Sequence, residues 1–209
     1  MGRDQEERPL TLQDVAKRVD LSVATVGRAL GGYGRVSTAT RERVLQAARE
    51  MNYHPNAVAR GMKEQRTRII GLIVGNIRNA FFSTIVRAVE DTVSRHGFNV
   101  IVCNTDEDPK KELAHAKVLY ERRVDGLVVA PTGSDDAKTV EEIGLYYGKQ
   151  IPTVFVDRFM EGVDAPGVYS NNLEGGYEAT RHLLALGHRR IGVIVGKRTL
   201  TTMADRIRG

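Results

Sequence analysis

The sequence predicts two architectures in tandem: a small all-α domain carrying a helix-turn-helix, then an α/β domain built on a doubly wound parallel sheet. Three observations predict it. The first third holds three short apolar stripes at helical spacing, each behind a Ser or Thr able to cap it. From Ile69 onward, short β-branched runs alternate with helical stretches. Charge divides at the same place. Residues 1–68 hold 13 Lys and Arg against 8 Asp and Glu, whereas residues 69–209 hold 18 of each. A solubility device would be spread along the chain; a phosphate-binding module concentrates its excess.

Thr11 caps a predicted helix over Leu12–Val19, with Asp14 placed to complete a capping box. Leu12, Val15, Ala16 and Val19 form its stripe. Ser22 opens a second helix, Val23–Leu30, which Gly31-Gly32-Tyr33-Gly34 stops. Ser37 caps a third, Thr38–Met51, with Val44, Leu45, Ala48 and Met51 as its stripe. Asn52-Tyr53-His54-Pro55 ends it, because the residue before proline avoids the helical region. Asn56–Lys63 is a further helical pattern, too short to persist alone in water and expected to order only on binding. Residues 65–68 read as a linker.

The α/β part has predicted strands at IIGLIVG (69–75), FNVIVC (98–103), DGLVVAP (125–131), PTVFVD (152–157) and RIGVIVG (190–196). None alternates polar with apolar, as expected of parallel strands covered on both faces. The intervening helices are Phe81–His96, Pro109–Arg122, Asp136–Tyr147 and Leu173–Leu186, the first and last closed by Gly97 and Gly187.

Several function classes find no support. No apolar run approaches the roughly 20 residues of a membrane span, and MGRDQEERPL has no apolar core of a secretory signal. The single Cys103 excludes an internal disulfide or a cysteine-based zinc site and fits a reducing cytoplasm. Within its apolar run it reads as a small buried hydrophobe rather than a reactive thiol. No nucleophile elbow, P-loop or HExxH is present, and GLIVGN lacks the spacing of a dinucleotide loop. The five histidines are scattered. The expectation is a protein that is not an enzyme and needs no cofactor or metal.

Two constellations carry chemistry. Ser22, Val23, Ala24 and Thr25 form the exposed first turn of the second helix, with Arg28 one turn on. In a major groove Arg bonds guanine bidentately, and Val or Ala meets a thymine methyl. Ser22, Thr25 and the helix-start amides suit phosphate. The alternative is a solvated face of a small helical domain. The second constellation lies at the carboxyl ends of the strands, where open α/β sheets gather ligands. Those ends offer Asn76, Asn79, Phe81 and Phe82 after the first strand, Asn104 and Asp106 after the second, and Asp157 and Arg158 after the fourth. Asn172 and Arg206 follow later elements. Amides, carboxylates and Arg bond hydroxyls while aromatic faces cover a sugar ring; Asn and Asp also favour turns for their own reasons.

TLQDVAKRVDLSVATVGRAL, RVSTATRERVLQAAREMNYHPNAVARGMK, VDGLVV, IPTVFVDR, NNLEGGYEATRHLLALGHRRIGVIVG and the final DRIRG together resemble the lactose-repressor (LacI/GalR) family, in family order along nearly the whole chain. The resemblance implies a helix-turn-helix headpiece at 1–55, a hinge helix and linker at 56–68, and a periplasmic-binding-protein-like sensor. The sensor's first lobe would span 69–168 and its second begin at 169–209. It implies a cytoplasmic homodimer reading a pseudo-palindromic operator, with DNA contacts at Thr11, Leu12, Ser22, Val23, Ala24, Thr25, Arg28 and Arg35. Asn56, Ala59 and Met62 would contact DNA from the hinge, Met62 as the minor-groove wedge where the family usually has Leu. It also implies effector contacts at Asp157, Arg158 and Arg206, and the retained set favours a pentose, hexose or nucleoside-like effector.

Departures from the family pattern are specific. Gly27 replaces the Ser of its TVSR motif, removing a hydroxyl suited to phosphate and placing glycine inside a helix. Gly31 replaces a usual Asn. NAFF replaces Asn-Pro-Phe-Phe, keeping the aromatics without the rigid proline. The expectation is weakened non-specific affinity more than altered base choice. The chain stops where the family motif continues, so an incomplete second lobe, unpartnered apolar residues at Ile191–Val195 and impaired effector sensing are expected. The rival reading is a sugar-binding module without DNA activity, against which the basic first third counts.

Overall fold

The computed structural model describes residues 10–53, 66–134 and 136–209. The chain forms two compact units, residues 1–63 and 64–209. The hinge residues Asn56, Ala59 and Met62 lie outside the described residues.

In the first unit α1 spans Leu12–Arg18, α2 Val23–Gly31 and α3 Thr38–Glu50. The caps predicted from sequence form. Asp14 accepts from the Thr11 amide at 2.9 Å and its hydroxyl at 2.7 Å, and the Ser22 and Ser37 hydroxyls each accept an amide, from Thr25 and Thr40, at 3.2 Å. Each satisfies donors that the first helical turn leaves over. Gly32 at φ 73 ends α2 in the left-handed region. The stripes, Leu45 excepted, close on one core of Val15, Ala16, Val19, Val26, Ala29, Val44, Ala47 and Ala48, with Leu12, Leu30 and Met51 around it; Ala47 takes the buried place expected of Leu45. Arg43 Nη2 donates to the Val19 carbonyl at 2.7 Å, tying α3 to the end of α1.

The second unit carries β1 (Ile69–Val74), α4 (Ala80–Ser94), β2 (Asn99–Asn104), α5 (Pro109–Glu121), β3 (Gly126–Val129), α6 (Ala137–Gly144), β4 (Thr153–Val156), β5 (Gly167–Val168), α7 (Asn172–Ala185) and α8 (Thr201–Arg208). All strand pairs are parallel, in the order β2-β1-β3-β4-β5. Both faces are covered. Leu72 and Val74 of β1 meet Phe82 of α4 on one side. Ile73 points the other way, into a core with Leu119 of α5, Ile143 of α6, Tyr147 and Phe155. The strand order reverses beside β1, which puts the crevice for a ligand at the carboxyl ends of β1, β3 and β4.

Two expectations are corrected here. Residues 190–196 form no strand: among the described residues nothing pairs with them, and Val193 and Ile194 are 68% and 102% exposed. An apolar run becomes a strand only when a neighbour supplies its ladder. The helix read over 136–147 ends at Gly144, and the last strand of the sheet is the two-residue β5. The short helix α8 was absent from the sequence reading. It crosses α7 closely at Gly176, where a Cβ would meet the Arg206 carbonyl oxygen at 2.3 Å.

Candidate nucleic-acid interface and ligand cleft

The first turn of α2 is built to be presented. Val26 and Ala29 anchor the helix in the core, while Ser22, Val23 and Ala24 face solvent. The Ser22 hydroxyl lies 2.9 Å from the Thr25 hydroxyl, and Arg28 Nη2 donates to that hydroxyl at 3.2 Å. The Arg28 stem rests over Gly34, whose φ of 72 suits glycine and whose Cβ would come within 2.8 Å of Arg28 Cδ. Arg28 is therefore held at both ends of its stem, with a half-buried side chain and a guanidinium beside the exposed turn. Thr11, Leu12 and Arg35 lie in the same unit, Thr11 and Arg35 exposed and Leu12 half-buried. A pre-positioned Arg beside small apolar and hydroxyl groups has the chemistry of base-edge and phosphate recognition.

In the second unit the structure divides the predicted ligand residues. Asn76 and Asn79 use their side-chain oxygens locally, accepting the Arg78 amide at 2.9 Å and the Phe81 amide at 3.0 Å. Asp106 turns to Lys111 at 2.6 Å and to Asn104 at 2.7 Å. Those two hydrogen bonds hold its carboxyl below the usual range. Phe81 is 46% exposed, and its ring meets Phe82 edge-on at 5.3 Å.

Asp157, Arg158, Asn172 and Arg206 converge. Arg206 Nε donates to Asn172 Oδ1 at 2.7 Å, and Asn172 is buried. Arg158, buried at 6% exposure, stacks its guanidinium 5.3 Å over the Phe82 ring. Its Nε lies 3.3 Å from Asp157 Oδ2 without a hydrogen-bonding geometry. Burial raises the Asp157 carboxyl above its ordinary value, opposed by the positive charges of Arg158 and Arg206. A cavity of about 240 Å³ opens onto Arg158, lined also by Thr132, Ser134, Phe159, Met160 and Thr201. A larger one, about 590 Å³, lies at the amino ends of the strands beside Arg66, Tyr120 and Arg123 and holds none of the predicted ligand residues.

Sequence reading missed Glu107. Its carboxylate takes Arg158 Nη1 at 2.7 Å and Nη2 at 3.0 Å, and Lys197 Nζ donates to its carbonyl at 3.0 Å. Gly75 makes the room: a Cβ there would stand 2.1 Å from Glu107 Oε1. Asp106 and Glu107 both adopt positive φ, 53 and 59, in the turn that follows β2. The carboxyl-end rule that selects Asp106 applies equally to its neighbour. Also missed was Glu112, fully buried on α5, which accepts the Thr132 amide at 2.6 Å and the Tyr147 hydroxyl at 2.8 Å. It thereby holds the loop after β3 that lines the cavity. Cys103 is buried, and burial pushes its thiol up, consistent with a packing role.

Residues 11–56 match the family model described as "Bacterial regulatory proteins, lacI family". Residues 67–209 match "Periplasmic binding proteins and sugar binding domain of LacI family". The chain is 40% identical over 199 residues to the ribose operon repressor of Halalkalibacterium halodurans, covering 95% of this chain and 58% of that protein. It is 35% identical over 199 residues to the HTH-type transcriptional regulator DegA of Bacillus subtilis, covering 95% and 59%. Among solved structures, a lac repressor dimer bound to operator and the anti-inducer ONPF superposes with a TM-score of 0.81 at 26% identity, over 96% of this chain and 60% of that one. The chain thus spans about 60% of the length of the relatives it matches.

Proposed function

The chain belongs to the LacI family of bacterial regulatory proteins, and from that premise we propose that it is a sequence-specific DNA-binding repressor responding to a small sugar-like effector. The observation that carries the DNA-binding reading is the exposed first turn of α2, with Val23 and Ala24 facing out and Arg28 braced against Thr25 and Gly34. Val23, Ala24 and Arg28 read base edges, while Ser22, Thr25, Thr11, Leu12 and Arg35 fix the helix on the sugar-phosphate backbone. The charge excess of residues 1–68 supplies the non-specific part of the affinity. In this reading the chain acts in the cytoplasm as a homodimer on a pseudo-palindromic operator, a hinge at 56–68 completes the contact through Asn56, Ala59 and Met62, and no catalytic step is involved.

The effector reading rests on Asp157, Arg158, Asn172 and Arg206, with the exposed ring of Phe81 nearby and the ring of Phe82 buried beneath Arg158 as its support. Glu107 and Asp157 balance Arg158 and Arg206 in formal charge. A balanced set of donors and acceptors suits an uncharged polyhydroxylated ligand better than an anionic one. Residues 69–168 form the first lobe of this sensor and 169–209 the beginning of a second.

The test is selection from a randomised palindromic duplex pool at low salt, followed by fluorescence anisotropy with a panel of pentoses, hexoses and nucleosides. A selected operator released by one neutral sugar supports both halves of the proposal. A pool from which nothing is enriched contradicts the repressor reading, and a selected operator indifferent to every ligand contradicts the effector reading alone.

A further inference from the structure

The cavity of about 240 Å³ lies to one side of the residues that converge at the strand ends: of Asp157, Arg158, Asn172 and Arg206, only Arg158 lines it. Its two walls are fixed. Thr132 is held from behind by the buried Glu112, which accepts its amide at 2.6 Å. Gly133 lets the chain at Thr199 press close, since a Cβ there would overlap the Thr199 carbonyl. Much of the remaining lining is apolar, from Val140, Phe159, Met160 and Leu200. Phe159 keeps 42% of its surface exposed, and its ring meets Tyr169 edge-on at 6.0 Å.

Most polar groups around this space have partners within the fold. The Thr132 hydroxyl lies 3.1 Å from that of Thr105, the Ser134 oxygen accepts the Asp136 amide at 3.1 Å, and both terminal nitrogens of Arg158 are on Glu107. Thr201 differs. Its hydroxyl oxygen is buried and makes no hydrogen bond among the described residues. Such a group costs the fold free energy unless something pairs with it, and this one borders a cavity. Thr201 is also held in place: it opens α8 between the buried Leu200 and Thr202, and its branched side chain is stiff. Leu200 gives α8 no side-chain cap, so an oxygen seated here would also meet the positive end of the helix. We propose that this cavity is a subsite for a hydroxyl-bearing part of a neutral carbohydrate effector, paired with the Thr201 hydroxyl and walled by Phe159, Met160 and Leu200. Resting on the effector reading above, it adds that the effector reaches past Arg158 and is selected by a hydroxyl at that far point.

The experiment uses the 209-residue chain. Thr201→Val exchanges the hydroxyl for a methyl of the same shape, so without ligand its melting temperature should equal or exceed that of wild type. A clear fall would show that the hydroxyl is bonded within the fold and overturn the subsite. Calorimetric titration with D-ribose, D-xylose, D-glucose, D-galactose and adenosine then finds the ligand that binds wild type, and its monodeoxy forms follow. Thr201→Val should weaken the parent ligand about tenfold, and Thr201→Ser, which keeps the hydroxyl, should restore it. One monodeoxy form should bind wild type about tenfold more weakly than the parent and bind Thr201→Val no worse than wild type. Equal binding of the parent by wild type and Thr201→Val overturns the subsite and leaves the effector reading intact, and an equal loss for the parent and every monodeoxy form overturns the hydroxyl pairing. Failure of wild type to bind any of the five ligands refutes the effector reading first, and the subsite with it.

Discussion

Glu107 holds Arg158 by both terminal nitrogens, at 2.7 and 3.0 Å, in a pocket where the two side chains are 22% and 7% exposed. The pair joins the turn after β2 to the end of β4, and it sets what Arg158 can offer a ligand. With both terminal nitrogens engaged, the guanidinium is a fixed, neutralised platform over Phe82 rather than an open anion receptor.

Glu107→Gln should therefore destabilise the fold. Removing one partner of a buried pair leaves the other uncompensated, so urea unfolding should show a loss of about 3 kcal/mol. Replacing both residues, as Glu107→Gln with Arg158→Met, should cost less than the sum of the single changes. A single-variant loss below about 0.5 kcal/mol, the size expected of an exposed pair, would contradict the structural role given to the pair.

Gly27 is a weak point of α2 that the structure leaves room to mend. A Cβ there would make ordinary contacts, 3.6 Å to Leu12 Cδ2 and 3.9 Å to the Tyr33 hydroxyl, and the residue is helical. Gly27→Ala should raise the stability of the first unit by about 1 kcal/mol, read from thermal unfolding followed by circular dichroism. Gly34→Ala should instead destabilise it, because φ is 72 and Arg28 Cδ would lie 2.8 Å away. Equal effects from the two substitutions would contradict this account of the helix end.

Glu112 predicts a pH dependence. Burial raises its carboxyl from 4.5 to about 7, against the hydrogen bonds from Thr132 and Tyr147. The folded state thus keeps a proton that the unfolded chain has released. Stability from this group is full below pH 4.5, falls as pH rises to about 7, and is level above; the whole fall is about 3 kcal/mol. Asp157, also raised by burial, adds a slope of the same sign. Glu112→Gln should remove the Glu112 share, so wild type and variant should converge at low pH and separate in favour of the variant near pH 8. Parallel stability curves for the two proteins would contradict the assignment.

Much of this was legible in the sequence because the determinants are local. Thr11, Ser22 and Ser37 announce three helix starts, and the apolar runs at 69–75, 125–131 and 152–157 contain β1, β3 and β4, while 98–103 holds all of β2 but its last residue, Asn104. What was missed is nonlocal or weakly marked. Residues 190–196 have the composition of a strand but no partner among the described residues. Thr201–Arg208 is short, polar and preceded by Leu200, which makes no side-chain cap. Glu107 matters because of a residue 51 positions away, a distance no periodicity reports. Asn76 and Asn79 illustrate the opposite limit: their residue type suits a ligand, yet their oxygens close turns.

The central claim is that α2 reads bases through Arg28, and affinity measured for Arg28→Ala on the selected operator and on each of its single-base-pair variants tests it most directly. The account predicts that preference relaxes at one position in each half-site, by about 1–3 kcal/mol, while the ranking at other positions is preserved. A uniform loss across all duplexes would make Arg28 a phosphate contact, and no loss at all would remove α2 from the interface; either result contradicts the claim.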